Sequence, residues 1–280
     1  MTPDIAERVR HASAFIFDMD GTIALGDAAS GGHQALPGAI DLLAAIAAKG
    51  VPLTVFTNGT AKPPAAYAAS LRQAGFALAD AQMMTPSSSA AAWFVRRGIT
   101  RVRVLGNAGV AAPLRDLGIT CIGAAEPAND VQAVYTGWHR DFTFPDLEAA
   151  CHSVWAGAVL TTASHVPFFA TANGRGIGAS FAINTMITAM TGKKAKVLGK
   201  PSRIAFEAAA DAMGIARRDR SRIVIVGDDP ALEMRMAHNT GATGIGMTTG
   251  IMKPETLAML KPNQQPHAVI DRLRLLHDAL

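Results

Sequence analysis

Short apolar runs alternate with longer helix-like segments along this chain, and several of the apolar runs end directly on acidic or polar residues. The runs at 14–17, 51–58 and 221–229 predict buried strands, and the segments at 37–50 and 63–75 predict helices. Strands that alternate with helices in this way predict a parallel sheet with right-handed crossover connections. The sequence therefore predicts an α/β fold built on a parallel sheet.

The middle and the end of the chain continue this alternation. Strands are predicted at 101–107, 133–138 and 242–250, and helices at 113–118, 144–157, within 197–214 and at 268–280. Ligands of open parallel sheets bind beyond the carboxyl ends of the strands. Polar residues that directly follow an apolar run are therefore the candidates for one shared site.

Composition and charge exclude several classes of function. The chain has 280 residues and a net charge of +4, without a dense Lys/Arg run interleaved with aromatic residues, so a nucleic-acid partner is not expected. A small anionic substrate fits the mild basic bias. The two cysteines, Cys121 and Cys151, lack CxxC spacing, which argues against a disulfide framework and against a zinc site.

The apolar windows also argue against a membrane protein. Each is interrupted by Gly, Pro or a charged residue before about 18 residues, the length needed to span a bilayer. The first residues, MTPDIAERVRHAS, are charged and lack the apolar centre of a signal peptide. We therefore expect a cytoplasmic protein.

Two carboxylates stand two positions apart in the stretch AFIFDMDGTI. On an extended backbone Asp18 and Asp20 would face the same way, and their charges would repel unless a cation lay between them. Asp228, which follows another buried strand, adds a third carboxylate. Oxygen ligands of this kind suit Mg²⁺. The alternative is that DMDG is only a polar turn after a strand.

Two further segments offer donors to an anion. Thr57, Asn58 and Gly59 provide a hydroxyl, an amide and an open backbone for phosphate oxygens, although Asn-Gly is also a common turn. Lys200, between glycine and proline, fits a phosphate neighbour or a counter-ion of a metal site. A solvated surface lysine is the alternative.

In chain order these segments resemble the four motifs of the haloacid dehalogenase (HAD) superfamily. The motifs are DxDGT, the Thr-Asn turn, Gly-Lys-Pro and Gly-Asp-Asp, and LPGAIDLLAAIAAKG and GMTTG extend the resemblance to the NagD-like branch. That branch includes p-nitrophenylphosphatases, phosphoglycolate phosphatases and pyridoxal phosphatases. The resemblance implies a Rossmann-like core at 1–79 and 196–280, with an α/β cap domain at 80–195 inserted between the second and third motifs.

The resemblance also implies a role for each motif residue. Asp18 would be the nucleophile that forms an aspartyl-phosphate, and Asp20 the general acid and base. Asp18, the main-chain carbonyl of Asp20, and Asp228 would hold Mg²⁺. The transferring phosphoryl oxygens would contact Thr57, Asn58, Gly59 and Lys200. The implied activity is Mg²⁺-dependent hydrolysis of a small phosphomonoester such as a sugar phosphate or phosphoglycolate, with homodimerisation through the cap as a further possibility.

The fourth motif departs from the family. Relatives read Gly-Asp-x-x-x-Thr-Asp, and this chain has Leu232 and Glu233 in the last two places. Glu233 could replace the usual aspartate that supports the water shell of the metal, so we count it among the metal residues. It could also weaken or relocate the metal.

The insert departs as well. Relatives commonly carry Gly-Phe-Asp where this chain has Gly-Trp-His at 137–139, and Asn-Pro-Asp near 164–167, where it has Ser-His-Val-Pro. We predict that His165 contacts the part of the substrate beyond the phosphate. His139 and His165 could also be ordinary residues of the insert.

Other chemistries fit less well. A dehalogenase does not need the second carboxylate, Asp20. Phosphonate cleavage needs an amine, and no lysine lies between Lys62 and Lys193. A phosphomutase normally has a smaller, differently placed cap. A non-catalytic binding or regulatory protein is the alternative from another class, and only Leu232 and Glu233 favour it.

Overall fold

A computed structural model of the chain describes residues 1–26, 32–171 and 174–280. The chain divides into two compact units. The first contains Met1–Thr57, Ala65–Met84 and Pro201–Leu280, and the second contains Asn58–Pro64 and Thr85–Lys200. The domain limits inferred from the sequence, at 79/80 and 195/196, stay predictions.

The described residues form strands and helices that alternate along the chain. The strands are β1 Ala14–Phe17, β2 Ala24–Gly26, β3 His33–Ala35, β4 Leu53–Phe56, β5 Met83–Met84, β6 Arg101–Leu105, β7 Thr120–Ile122, β8 Ala133–Thr136, β9 Val159–Thr162, β10 Phe168–Thr171, β11 Gly174–Ile177, β12 Lys196–Val197, β13 Ile223–Gly227, β14 Thr243–Met247 and β15 Ala268–Ile270. The helices are α1 Pro3–Arg10, α2 Ala39–Ala48, α3 Pro64–Gln73, α4 Pro86–Arg96, α5 Ala108–Asp116, α6 Phe144–Trp155, α7 Ala179–Thr191, α8 Arg203–Ala212, α9 Arg235–Thr240 and α10 Arg274–His277.

A six-stranded sheet organises the first unit. Its order is β15-β14-β13-β1-β4-β5, and every neighbouring pair is parallel. The central strand β1 pairs Phe17 with Val226 of β13 on one side and with Val55 of β4 on the other. Because parallel strands end at the same edge of a sheet, Asp18, Thr57 and the residues after β13 leave the sheet together.

The core of the first unit explains the continuous apolar runs in the sequence. All four residues of β1 are buried, as expected for a strand that is covered on both faces by helices. Phe15 and Phe17 pack in one apolar cluster with Leu42 and Ile46 from α2 and with Leu276 from α10. The rigid sheet therefore fixes the position of Asp18.

The second unit has its own parallel sheet. The order is β12-β9-β8-β6-β7, and a separate antiparallel hairpin is formed by β10 and β11. Leu105, Val134 and Leu160 of the sheet pack with Val154 of α6 and Ile183 of α7. The predicted α/β architecture with parallel sheets is confirmed.

The longer segment of the second unit, Thr85–Lys200, begins and ends in one place. Ser89 Oγ in α4 donates a hydrogen bond of 2.6 Å to the main-chain oxygen of Leu198. A Cβ added to Gly199 would lie 2.8 Å from Pro86 Cγ. The two ends of this segment are therefore packed against each other inside the second unit.

The predicted closing helix at 268–280 is wrong in its first part. Residues Ala268–Ile270 form the edge strand β15, which pairs with β14 through Ile245 and Met247, and only Arg274–His277 is helical. Apolar residues at 270, 273 and 276 fit a helical spacing, but the unpaired edge of β14 provides a partner for three extended residues. Among the described residues, no helix is long and apolar enough to cross a membrane.

Candidate active site

Asp18 lies at the first position after β1, and its backbone is held by the neighbouring strand. Its N–H donates a hydrogen bond of 2.8 Å to the main-chain oxygen of Val226. The Oγ1 of buried Thr22 lies 3.3 Å from Asp18 Oδ2 and donates to it. Only 8% of Asp18 is exposed, so this carboxylate is nearly enclosed and oriented by the turn that follows it.

The turn after Asp18 separates the two carboxylates of the first motif. The main-chain oxygen of Met19 accepts hydrogen bonds from the N–H groups of Thr22, Ile23 and Ala24, and the Met19 side chain is buried. The Asp20 side chain is 55% exposed, with its Oδ1 3.9 Å from Nε2 of His33. One carboxylate is thus buried at the strand end, and the second lies on the more accessible side of the turn.

Asp228 is the most tightly enclosed aspartate of the site. Its Oδ2 accepts a hydrogen bond of 2.7 Å from the N–H of Ile251, and its main-chain oxygen accepts one of 2.8 Å from Met252. A Cβ added to Gly21 or to Gly250 would lie 2.6 Å or 1.8 Å from Asp228 Oδ2. Two loops therefore close over this carboxylate, and only glycine fits at the two positions that touch it.

The hydroxyl of Thr249 ties these two loops together. Its Oγ1 donates a short hydrogen bond to the main-chain oxygen of Gly21, whose φ of +82° is the left-handed conformation that favours glycine. Sequence reasoning missed Thr22 and Ile251 as contacts of the two aspartates. The GMTTGI segment was the available signal, because glycine and threonine cluster there at the end of a predicted strand.

Glu233 folds back against the end of β13. Residues Pro230–Met234 form a π-helical turn, a local form that often marks a functional site. Glu233 Oε2 accepts a hydrogen bond of 3.1 Å from the N–H of Asp229, and the side chain is buried. A Cβ at Gly227 would lie 2.1 Å from Glu233 Cγ. Glu233 therefore supports the backbone that carries Asp228.

The residues predicted to bind phosphate fall into both units. Thr57, in the first unit, is buried and donates its N–H to the main-chain oxygen of Met84 at 3.2 Å. Asn58 and Lys200, in the second unit, form a reciprocal pair of hydrogen bonds. Asn58 Oδ1 accepts from the Lys200 N–H, and its Nδ2 donates to the Lys200 main-chain oxygen, each at 3.0 Å. Gly59 follows in the same loop and is half-buried.

The Asn58 amide is thus committed to backbone contacts, which the sequence did not predict. It fixes the main chain at Lys200, a residue that is only 1% exposed. A role of Asn58, Gly59 and Lys200 as phosphate ligands stays a prediction. The structure assigns Asn58 a positioning task in addition, since it holds residues 142 positions apart in the sequence.

The two histidines of the second unit have different surroundings. His139 Nε2 lies 3.2 Å from Asp146 Oδ2, which also accepts the N–H of Thr143 at the start of α6. His139 therefore contacts the first turn of that helix from outside it. His165 is exposed, and its ring packs edge-on against Phe181 with the ring centres 5.9 Å apart. Partial burial of the ring lowers the pKa of His165.

The predicted Mg²⁺ site would draw on few acidic side chains. Among the described residues, no group of three or more His, Cys, Asp or Glu side chains is arranged to hold an ion. The proposed set needs only two carboxylates, Asp18 and Asp228, with the main-chain carbonyl of Asp20. These are hard oxygen donors of the kind that Mg²⁺ prefers, and both carboxylates are buried at one edge of the sheet. The donor set fits Mg²⁺.

Comparison with known proteins matches two separate segments of the chain to HAD-like hydrolases. The family model described as haloacid dehalogenase-like hydrolase matches residues 15–120, and a second model of HAD-like hydrolases matches residues 197–276. Among curated proteins, the glycerol-3-phosphate phosphatase of Homo sapiens is 28% identical over 279 residues, which cover 91% of this chain and 83% of that protein.

Solved structures agree in fold. The glycerol phosphate phosphatase of Mycobacterium tuberculosis, solved in complex with magnesium, has a TM-score of 0.82 at 21% identity and covers 96% of this chain and 78% of that one. NagD from E. coli K-12 has a TM-score of 0.80 at 23% identity and covers 94% of this chain and 97% of that one. At these identities the likeness concerns the fold.

Proposed function

Because this chain belongs to the haloacid dehalogenase superfamily and is a phosphatase of that superfamily, we propose that it hydrolyses a small phosphomonoester through an aspartyl-phosphate on Asp18. One observation carries the proposal. Asp18 is nearly enclosed at the carboxyl end of the central strand, oriented by Thr22, while Asp228 follows the adjacent in-register strand.

The geometry of Asp18 suits a nucleophile. A carboxylate that is held in one orientation by the sheet and by a hydroxyl attacks without first paying the entropy of being positioned. One oxygen of Asp18 would form the bond to phosphorus as the bond to the ester oxygen breaks. Water would then attack the phosphorus, breaking the bond to Asp18 and releasing inorganic phosphate.

Asp20 suits the proton transfers of these two steps. Its carboxyl group is exposed on the accessible side of the turn, where it can give a proton to the departing alkoxide and later take one from the attacking water. His33, itself in hydrogen-bond contact with Ser70 Oγ at 2.8 Å, lies beside Asp20, with its Nε2 3.9 Å from Asp20 Oδ1. The two carboxylates thus have different surroundings and different tasks.

Asp18, the carbonyl of Asp20, and Asp228 would hold Mg²⁺. When bound, the ion supplies positive charge that offsets the repulsion between the Asp18 carboxylate and the phosphate and that stabilises the transition state. Asp228 is prepared for this task because Ile251 and the glycines at 21 and 250 hold its carboxylate in one place. Glu233 would support the water shell of the ion, and its hydrogen bond with the Asp229 N–H holds the backbone next to Asp228.

Glycerol phosphate is the first substrate to test, because relatives from two sources carry that activity in their names. Contact of the substrate with Thr57, Asn58, Gly59, Lys200 and His165 remains part of the proposal. Assembly as a homodimer stays a prediction. The alternative, a binding protein that has lost its chemistry, is favoured only by the altered fourth motif.

Phosphate release from a panel of phosphomonoesters tests the proposal. The panel would include glycerol phosphate, phosphoglycolate and p-nitrophenyl phosphate, each with Mg²⁺ and with EDTA. We expect Mg²⁺-dependent turnover that falls at least about 10³-fold in Asp18→Asn. The control is Asp41→Asn, an exposed aspartate in α2 that should keep full activity.

Two results would overturn the proposal. Turnover that survives in Asp18→Asn would exclude Asp18 as the nucleophile. A folded wild-type protein that releases no phosphate from any ester would favour the binding protein instead.

A further inference from the structure

A cavity in the second unit lies beside a buried arginine that the proposed phosphatase chemistry does not use. Its volume is about 430 Å³. The polar residues that line it are Arg103, Glu126, Asn129, Asp130, His152 and Ser153. All of them belong to Thr85–Lys200, whereas Asp18 and Asp228 belong to the first unit.

Arg103 is held in place by neutral groups. It lies in the middle of β6 and is 2% exposed. Its Nε donates to Ser153 Oγ at 2.9 Å, and its Nη1 donates to the main-chain oxygens of Gly123, Ala124 and Glu126 at 2.9, 3.0 and 2.8 Å. These contacts use the Nε and Nη1 side of the guanidinium.

The Nη2 group remains as a donor. In the part of the chain that the structure describes, Arg103 Nη2 makes no hydrogen bond, and no carboxylate forms an ion pair with Arg103. A guanidinium has five N–H donors, so the two N–H groups on Nη2 are available to a molecule in the cavity. A buried cation without a carboxylate partner is costly, and an anionic group in the cavity would offset that cost.

Burial also acts on the charge of Arg103 itself. Removal from water lowers the pKa of its guanidinium, and the nearby charge of Glu126 opposes this effect. The group nevertheless stays a cation, because arginine is not deprotonated in proteins at ordinary pH. The cavity therefore presents a permanent positive charge at its wall.

The opposite charge is present at the rim of the same cavity. Glu126 and Asp130 are exposed acids that line it. Glu126 Oε2 accepts the N–H of Gly123 at 2.9 Å, and Asp130 Oδ2 lies 3.1 Å from Arg101 Nε. These carboxylates would repel a dianion such as phosphate, and they would attract a ligand that carries an ammonium group beside its anion.

We propose that this cavity binds a small zwitterion of the amino-carboxylate class, such as a free L-α-amino acid. The ligand carboxylate would accept from Arg103 Nη2, and its ammonium would donate to Glu126. Pro127, Val131 and Ala149 supply apolar wall for the rest of the ligand. A cavity of about 430 Å³ is large enough for a molecule of this size.

Isothermal titration of the full-length protein tests the proposal. The probes are the common L-α-amino acids, acetate, methylamine and inorganic phosphate. We expect at least one amino acid to bind, with acetate, methylamine and phosphate each at least about tenfold weaker, because each lacks one of the two charges or carries excess negative charge. Binding of acetate or phosphate as tight as that of the best amino acid would overturn the proposal, as would the absence of any binding.

Variants locate the site and remain informative if Arg103 proves necessary for folding. Glu126→Gln keeps a side chain of the same length and should weaken binding about tenfold, while Glu148→Gln, an exposed acid of α6 outside the cavity, should leave it unchanged. Ala149→Leu should fill the cavity and abolish binding. Unchanged affinity in both Glu126→Gln and Ala149→Leu would overturn the proposal.

The proposal is independent of the phosphatase mechanism, and one variant separates the two. Asp18→Asn should bind the same amino acid with the affinity of the wild type, whether or not the chain releases phosphate. Loss of amino-acid binding in Asp18→Asn would place the ligand at the catalytic aspartate and overturn the assignment to Arg103.

Discussion

The side chain of Glu233 fills the space that any side chain at residue 227 would need. A Cβ added to Gly227 would lie 2.1 Å from Glu233 Cγ and 2.7 Å from Cδ. The Glu233 carboxylate meanwhile holds the N–H of Asp229, the residue next to Asp228. Glu233, which is one methylene longer than the aspartate of relatives, therefore fits against the end of β13 because Gly227 has no side chain.

Substitution of Gly227 by alanine should destabilise the protein through this contact. We expect a loss of about 1–3 kcal/mol in the free energy of unfolding, because the added methyl overpacks a buried site. A double-mutant cycle with Glu233→Ala checks the cause by urea unfolding. The cost of Gly227→Ala should be smaller when Glu233 is alanine, and equal costs in both backgrounds would show that the two residues do not compete for space.

Substitution of Gly250 by alanine should damage the site rather than the fold. Its Cβ would lie 1.8 Å from Asp228 Oδ2, so the carboxylate has to move, and a displacement of about 1 Å can cost about 10²-fold in rate. Phosphate release and circular dichroism of the variant give the two readouts. Gly123→Ala is the matched control, since its Cβ meets only the flexible Glu126 side chain, at 3.3 Å. Full activity in Gly250→Ala would contradict the closed position of Asp228.

Asn58→Ala should destabilise the protein by about 2 kcal/mol, since the Lys200 N–H and carbonyl both lose their partner. The urea midpoint provides the measurement. Asn263→Ala, at an exposed position near the C-terminus, should leave the midpoint unchanged. If both variants unfold at the wild-type midpoint, the Asn58 amide does not hold the Lys200 backbone.

Acid should destabilise the first unit through His267. Its Nδ1 accepts the N–H of Gly244 at 3.0 Å, which requires the neutral ring. Burial lowers the pKa of His267, and His238, whose ring stacks at 5.2 Å, and Arg8 act in the same direction. The unfolded chain therefore binds this proton at a higher pH than the folded chain does.

Stability should consequently be retained above about pH 6.5, the ordinary pKa of histidine, and decrease as the pH falls below it. Urea midpoints measured between pH 8 and pH 5 check this. His267→Gln should show a weaker pH dependence in that range, whereas His277→Gln in α10 should follow the wild type. If the urea midpoint of His267→Gln depends on pH as strongly as that of the wild type, another group causes the effect.

The positions of Asp18 and Asp228 could be predicted because apolar runs define the strands on their own. A four-residue run that is buried on both faces indicates a central strand, so the polar residue after it must lie at the carboxyl end of that strand. The HAD resemblance is confirmed by the family models, which match residues 15–120 and 197–276, the parts of the chain that carry these motifs. The short edge strand β15 was missed because three residues carry too little periodicity to distinguish a strand from a helix.

Contacts between distant parts of the chain could not be predicted in this way. The Asn58 amide and the Lys200 backbone are 142 positions apart, and a Thr-Asn turn looks the same whether its amide faces a ligand or the main chain. Thr22 and Ile251 escaped notice because the turn and the loop that bring them to the aspartates depend on tertiary packing. The Arg103 cavity likewise depends on a folded second sheet.

The joined ends of the segment Thr85–Lys200 have a consequence for how proteins of this kind diversify. Because Ser89 contacts Leu198 and Pro86 adjoins Gly199, the segment leaves and re-enters the rest of the chain at one point. A stretch with adjacent ends can be replaced by another of different length without stretching the flanking backbone. We therefore expect that recombination can replace this segment with a different one while the strand that presents Asp18 remains unaltered.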